Sequence, residues 1–219
     1  SADKVMVYTI KATAPQMSLS WGPPFVPSDA ERLLAEIATK LQEAKRFELA
    51  KTRGGRPVNG IRIGDGNAPH QVWIGSRQHA WEAGGSQVGR GFIRWYASDE
   101  AKELRAQTCL HYIPIMDVDN VERGAGGKNQ KPQDHNRDWT DNPHWPEVRA
   151  VQKQIIALDA TRGFDLFIDL HNPAPNDREP EFFLVPRDSL GERAQRNLDT
   201  FLAAARAEMT GPLRYHGKF

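Results

Sequence analysis

The chain of 219 residues holds a single cysteine, Cys109, so no intramolecular disulfide can form. That scarcity fits a reducing compartment, and a cytoplasmic protein is the expectation. No stretch approaches the roughly eighteen consecutive apolar residues a spanning helix needs, so no membrane segment is expected. An excess of one charge is missing too: 29 Lys and Arg stand against 28 Asp and Glu, a net charge of +1. Without a basic stripe, the chain offers no footprint for a nucleic-acid partner. No internal repeat, low-complexity tract or linker interrupts it, and residues 1–219 read as one domain with one sizeable core.

What is present alternates between two periodicities. Strands are expected at Val5–Ile10, Phe47–Ala50, Val58–Ile63, Val72–Gly75, Cys109–Met116, Phe164–Leu170 and Glu181–Val185. Arg53-Gly54-Gly55-Arg56-Pro57 is the turn between the second and third. Helices are expected from Ser28 or Asp29 onward with Leu33, Leu34, Ile37 and Leu41 as the apolar stripe, and at Gly89–Tyr96, Glu147–Leu158 and Leu190–Met209, with a short one restarting at Ser98–Glu100. Cys109–Met116 and Phe164–Leu170 are apolar nearly throughout, as strands covered on both faces are. The implied fold is α/β, with three α/β/α layers around a central mixed, largely parallel sheet. Asp117–Asn142 is rich in Gly, Asn, Asp and Lys and lacks periodicity. A loop of that length inside a compact domain is usually functional.

In open α/β sheets, ligands bind beyond the carboxyl ends of strands. Three groups of chemically capable residues fall there. His79 and Glu82 follow Val72–Gly75 and are three apart, a spacing that puts both on one face of a helical turn. His171 closes Phe164–Leu170. Asp134, Asn136 and Arg137 lie in the loop after Cys109–Met116. Two imidazoles and a carboxylate from two strand ends make a three-ligand zinc shell with a fourth position left open, the layout of catalytic zinc. No Cys-x-x-Cys pair competes for the metal.

These stretches resemble the M14 zinc carboxypeptidases, and within them the cytosolic-carboxypeptidase-like branch. That branch has Arg-x-His-Pro-Gly-Glu where this chain has Arg77-Gln78-His79-Ala80-Trp81-Glu82, and Asp-Leu-Asn-Arg where it has Asp134-His135-Asn136-Arg137. It has a strand ending in a zinc histidine where this chain has Asp169-Leu170-His171, and Gly55-Arg56-Pro57 before a strand also resembles its entry strands. The order is the same, over residues 45 to 175 or so.

The resemblance implies one zinc per chain, held by His79, Glu82 and His171. Asp134 would accept a hydrogen bond from the far nitrogen of His79. Arg137, with Asn136, would hold a substrate's terminal carboxylate through the paired hydrogen bonds that a guanidinium makes. The implied reaction is hydrolysis of a C-terminal peptide or amide bond, with a peptide or protein tail as the partner. Where the family places an oxyanion arginine this chain has Gly127, with Arg123 upstream. Lys128, next to Gly127, is the candidate to supply that positive charge. The family's general-base glutamate belongs well beyond the second zinc histidine. Only 48 residues follow His171, and among them Glu179, Glu181, Glu192 and Glu208 do not match that position. The expectation is therefore a domain whose C-terminal part is missing and whose base is not identified. Trp81 replaces a glycine of the relatives and should wall the pocket or pack beneath it. Two other functions remain open. Asp169-Leu170-His171-Asn172 also resembles the aspartoacylase and succinylglutamate desuccinylase group, which hydrolyse N-acyl amino acids. A protein that binds C-terminal tails without cleaving them is the third.

Overall fold

The computed structural model describes residues 7, 9–17, 19–20, 22–172, 182–210 and 215. Helix α1 (Pro27–Lys40) is the first regular element among the described residues. Pro27 fits the first helical position, and Asp29 reaches back to accept the Val26 N–H at 2.9 Å. Its stripe of Leu33, Leu34 and Ile37 is buried. Strands β1 (Lys45–Lys51) and β2 (Pro57–Ile63) then form a hairpin. Its turn is held by Asp119, whose carboxylate accepts from Thr52 Oγ1, the Gly54 N–H and Arg56 Nη1, each at 2.9 Å.

Strand β3 (His70–Ser76) leads through a loop at residues 77–82 into α2 (Ala83–Tyr96). A single 3-10 turn and α3 (Lys102–Gln107) lead on to β4 (Thr108–Ile113), which is buried along its whole length. Helix α4 (Val118–Arg123), α5 (Pro146–Arg162), β5 (Leu166–Leu170) and α6 (Glu192–Glu208) complete the chain. The strand order is β1-β2-β4-β3-β5. β1, β2 and β4 pair antiparallel, whereas β4, β3 and β5 run parallel, so the sheet is mixed and the half that carries the site is the parallel one.

Alternation along the strands sorts the core into two layers. Ile61, Ile63, Ile74, Leu110 and Tyr112 share the face covered by α1 and α2. Trp73, His111, Ile113 and Phe167 share the face covered by α5. His111 is a core residue there, stacked on Trp73 at 5.0 Å and 10°, and burial pushes its pKa down to about 4, further lowered by Arg62.

Four expectations change. Asp117–Asn142 is not loop throughout. Asp117 caps α4 by accepting from the Asn120 N–H at 3.1 Å, and Gly124 stops it with φ of 68°, after fewer than two turns, too short to show periodicity. Helix α2 begins at Ala83, ahead of Gly89, because tertiary packing overrides the poor helix propensity of its glycines. No strand forms at Phe182–Val185, where Phe183 and Val185 are exposed and no neighbouring strand is paired; Glu181, like Glu179, lies outside the described residues. Of Val5–Ile10, Val7, Thr9 and Ile10 are exposed and unpaired, and the rest lie outside the described residues. Among the described residues no helix is long and apolar enough to cross a membrane.

The glycines of α2 explain how closely it lies on the sheet. A Cβ on Gly85 would come within 2.3 Å of the Leu170 carbonyl oxygen, and one on Gly89 within 2.4 Å of the Tyr112 hydroxyl, whereas one on exposed Gly91 would meet nothing within 4 Å. Gly91→Ala should therefore stabilise the fold by up to about 1 kcal/mol through helix propensity. Gly85→Ala should destabilise it by about 1–3 kcal/mol through overpacking against backbone. Urea unfolding of the two variants checks the opposite signs; equal shifts in one direction would remove the close-approach argument.

Candidate metal centre

The turn out of β3 is made by Arg77, whose φ is 67°, left-handed for a residue with a long side chain. Such strain persists only when surroundings hold it. Here Arg77 Nε donates to the Ala80 carbonyl at 2.8 Å, and Nη1 donates to the Phe25 carbonyl at 2.7 Å. Burial lowers its pKa to about 10, with Asp117 and Glu82 opposing the shift, so the guanidinium stays charged. The buried arginine clasps the segment that follows, and that segment delivers His79 and Glu82.

His79 and Glu82 are 3% and 4% exposed. His79 Nδ1 lies 2.8 Å from Glu82 Oε1, and His171 Nδ1 lies 2.6 Å from Glu82 Oε2. The Asn172 N–H donates to the same Oε2 at 3.3 Å. Ligand atoms of the three residues all fall within 4.8 Å of one another, a group that can hold a metal ion. Burial alone would raise the pKa of Glu82, but hydrogen bonds from His171 and His79 outweigh it and hold the carboxyl at about 2. Burial opposes charge on His171 as well. Hydrogen bonds to Asp169 and Glu82 prevail and raise its pKa to about 10.

The outer nitrogen of each imidazole faces a carboxylate. His171 Nε2 is 2.6 Å from Asp169 Oδ2. His79 Nε2 is buried with no hydrogen-bond partner among the described residues, and Asp134 Oδ1 stands 3.5 Å from it. Both rings therefore turn Nδ1 inward and Nε2 toward an acid, the arrangement in which histidines ligate metals with fixed tautomer and orientation. Asp169 was missed in the motif reading. Its signal was the Asp-x-His spacing, because alternation along β5 puts Asp169 and His171 on one side of the strand.

The loop after β4 supplies the rest. Asp134 is buried, accepts the Arg137 N–H at 3.0 Å and pairs with Arg137 Nη1 at 2.5 Å. Arg137 is largely exposed, its side chain 62% open, and Asn136 beside it is exposed. His135 turns the other way. It is buried, stacks on Trp145 at 4.8 Å and meets Glu147 at 2.6 Å. Gly127, with φ of 82°, passes so close over the ligand loop that a Cβ there would meet Asp117 Oδ2 at 2.5 Å and the Ala80 nitrogen at 2.9 Å. No side chain fits at 127 on this backbone. Its neighbour Lys128 sits with Nζ 5.9 Å from the centre of the Trp81 ring. Trp81 lies between the two ligands in sequence, is 44% exposed, and with residues 125–130 lines a cleft of about 420 Å³. Of the expected residues, His79, Glu82, His171 and Asp134 are brought together, and Arg137 joins them through Asp134. Lys128 stands on the cleft rim, and Arg56 is occupied by Asp119. Glu192 and Glu208 are exposed on α6.

Comparison with known proteins bears on the family and the fold. Cytosolic carboxypeptidase 6 of Caenorhabditis elegans is 28% identical over 119 residues, which cover 52% of this chain and 25% of that protein. A metallo-carboxypeptidase from Burkholderia cenocepacia superposes with a TM-score of 0.61 at 28% identity, covering 68% of this chain and 42% of the other. A metallo-carboxypeptidase from Pseudomonas aeruginosa, solved with (2-guanidinoethylmercapto)succinic acid, superposes at 0.68 with 21% identity, covering 90% and 52%. The chain thus spans about half the length of these structures and a quarter of the worm protein. The zinc carboxypeptidase family matches residues 30–172, a span that contains all three candidate ligands, both carboxylates behind them and Arg137, and the chain belongs to that family.

Proposed function

We propose that this chain carries the zinc-binding and carboxylate-anchoring part of a metallocarboxypeptidase active site, within a single domain over residues 1–219, and acts on the C-terminal ends of peptides or protein tails. The observation that carries this reading is the convergence of His79 Nδ1 and His171 Nδ1 on the Glu82 carboxylate, with Asp134 and Asp169 behind the outer nitrogens. Two neutral imidazoles and a carboxylate suit zinc by donor type and by number. Zinc held there supplies the Lewis acidity that makes a peptide carbonyl open to attack by water.

The chain's own residues then divide the work. Asp134 and Asp169 fix the histidine tautomers, so that the inner nitrogens present lone pairs. Arg137 keeps most of its side chain exposed while one nitrogen is tied to Asp134, leaving its other nitrogens to meet a terminal carboxylate. Asn136 adds an amide beside it. Lys128 offers positive charge near developing oxyanion character, and this fits the crowding at Gly127, where an arginine side chain has no room. Neither Glu192 nor Glu208 is proposed as the base.

Two outcomes are expected. Gently purified protein should contain close to one zinc per chain, measured by atomic emission. Asp134→Asn should weaken zinc binding by about 10- to 100-fold, read by chelator competition. A chain that cannot be loaded with metal at all would sink the reading. For the carboxylate anchor, peptides with a free C-terminus should be hydrolysed and their amides spared. Arg137→Ala should cut kcat/KM on the free acids by about 10- to 100-fold, from the loss of charged hydrogen bonds, and Arg137→Lys should recover little of it. Equal turnover of acids and amides would remove Arg137 from that role. Turnover of N-acyl amino acids in place of peptides would instead assign the chain the amidohydrolase chemistry.

A further inference from the structure

Behind His171 the polar contacts do not end at Asp169. The indole N–H of Trp139 donates to Gln78 Oε1 at 2.7 Å. The Gln78 amide nitrogen donates to Asp169 Oδ2, the same oxygen that meets His171 Nε2 at 2.6 Å. Gln78 is 2% exposed. Around it stand Trp73, Gly75, Met116, Val151 and Phe167, a largely apolar wall. A primary amide in such surroundings is costly unless both its ends are satisfied, and here both are.

The chemistry of the two ends gives the chain of contacts a direction. An indole nitrogen can only donate. It therefore requires the oxygen of the Gln78 amide, and the amide nitrogen is left facing Asp169. Asp169, an acceptor, requires that nitrogen, so both ends fix one orientation; without the indole N–H the buried amide oxygen is left unsatisfied and the side chain loses the anchor that holds it against Asp169. We propose that Trp139 and Gln78 are positioning residues for the metal centre. Trp139 sets the orientation of the Gln78 amide, the amide sets the Asp169 carboxylate, and Asp169 aims the His171 ring at the metal. The role rests on the zinc reading given above.

The placement of these residues adds a second consequence. Gln78 precedes His79 in the ligand loop, and Trp139 lies two residues past Arg137 in the loop that supplies Asp134. One loop thus orients both histidines: His79 directly through Asp134, and His171 at two removes through Trp139 and Gln78. Trp139 also packs edge-on against Phe167 at 5.2 Å, and Phe167 belongs to β5, the strand that ends at His171. The ring has a packing role that phenylalanine can keep and an N–H role that it cannot.

The test uses Trp139→Phe and Gln78→Met beside the parent chain, with zinc and cobalt as the probes. Chelator competition reads zinc affinity, and the visible absorption of the cobalt-loaded protein reads ligand geometry independently of any turnover. Urea unfolding of the metal-free proteins reads packing. Loss of a direct partner of a metal ligand costs roughly 10- to 100-fold in affinity, so one partner further out should cost about three- to tenfold. Each variant should show that loss and a shifted cobalt spectrum, and the double variant should lose no more than the worse single one, because both act through one chain of contacts. Unchanged affinity and spectrum in both single variants, with the parent binding metal, would overturn the relay alone. Lowered unfolding stability with an unchanged cobalt spectrum would do the same, by assigning the residues to packing. A parent chain that binds no metal would overturn the zinc reading and the relay with it.

Discussion

The Glu82 carboxylate is the interaction on which the site depends. It is buried, and it bridges two imidazoles that arrive from different strands. Bringing a carboxylate out of water costs several kcal/mol unless charge and hydrogen bonds compensate. Around it the structure gathers three more acids, Asp117, Asp134 and Asp169, against two guanidiniums, those of Arg137 and the buried Arg77. Four carboxylates facing two fixed positive charges leave an excess of two negative charges, which a divalent cation between neutral imidazoles would balance. The raised pKa of His171, held up against burial by Asp169 and Glu82, reflects that same excess of negative charge.

Holding such a cluster requires that two strand ends meet at one level. Parallel pairing does this: Gly75 lies opposite Asp169 and Ser76 opposite Leu170, so the chain leaves β3 and β5 side by side. The segment after β4 continues the alignment, with the Met116 N–H donating to Ser76 O at 3.0 Å and the Asp117 N–H to Arg77 O at 3.1 Å. Helix α2 then closes in at Gly85, against the carbonyl of the residue before His171. The strained turn at Arg77 is tolerable because a buried guanidinium holds it to Ala80 and Phe25. Strain, close approach and the acid cluster fall at one end of the parallel half of the sheet.

How much of this the sequence disclosed follows from how local each signal is. His79 and Glu82 were readable because their partners are three residues apart, and His171 because it ends an apolar strand. The α/β order and the core face of α1 were readable from period, and the hairpin of β1 and β2 from the Gly- and Pro-containing turn between its strands. Asp169 had a signal two residues away that the motif reading passed over. Gln78 and Trp139 had none, since 61 residues separate them and neither type is rare in loops or cores. Helix α4 has fewer than two turns between a capping Asp and a stopping Gly, too short for periodicity to register. The described residues of the strands expected at Val5–Ile10 and Glu181–Val185 have the right residue types, but residue types specify a strand only when a neighbouring edge is there to pair with it.

Exposure within the site gives it a front and a back. His79, Glu82 and Asp134 are nearly closed off, as is Gln78 behind them. His171 keeps 23% of its side chain open and Arg137 62%. The open side of the cluster is thus the one where His171 and Arg137 are exposed, with the Trp81 ring and Lys128 along the neighbouring cleft. That asymmetry has a consequence for the two acids. Asp134 faces His79 on the closed side while also pairing with the exposed Arg137, so one buried carboxylate links the candidate metal ligand to the proposed carboxylate anchor. Asp169 serves the more open ligand, His171, and needs bracing from within because solvent reaches that ring. The indole of Trp139, packed on β5, supplies that bracing from the protein interior.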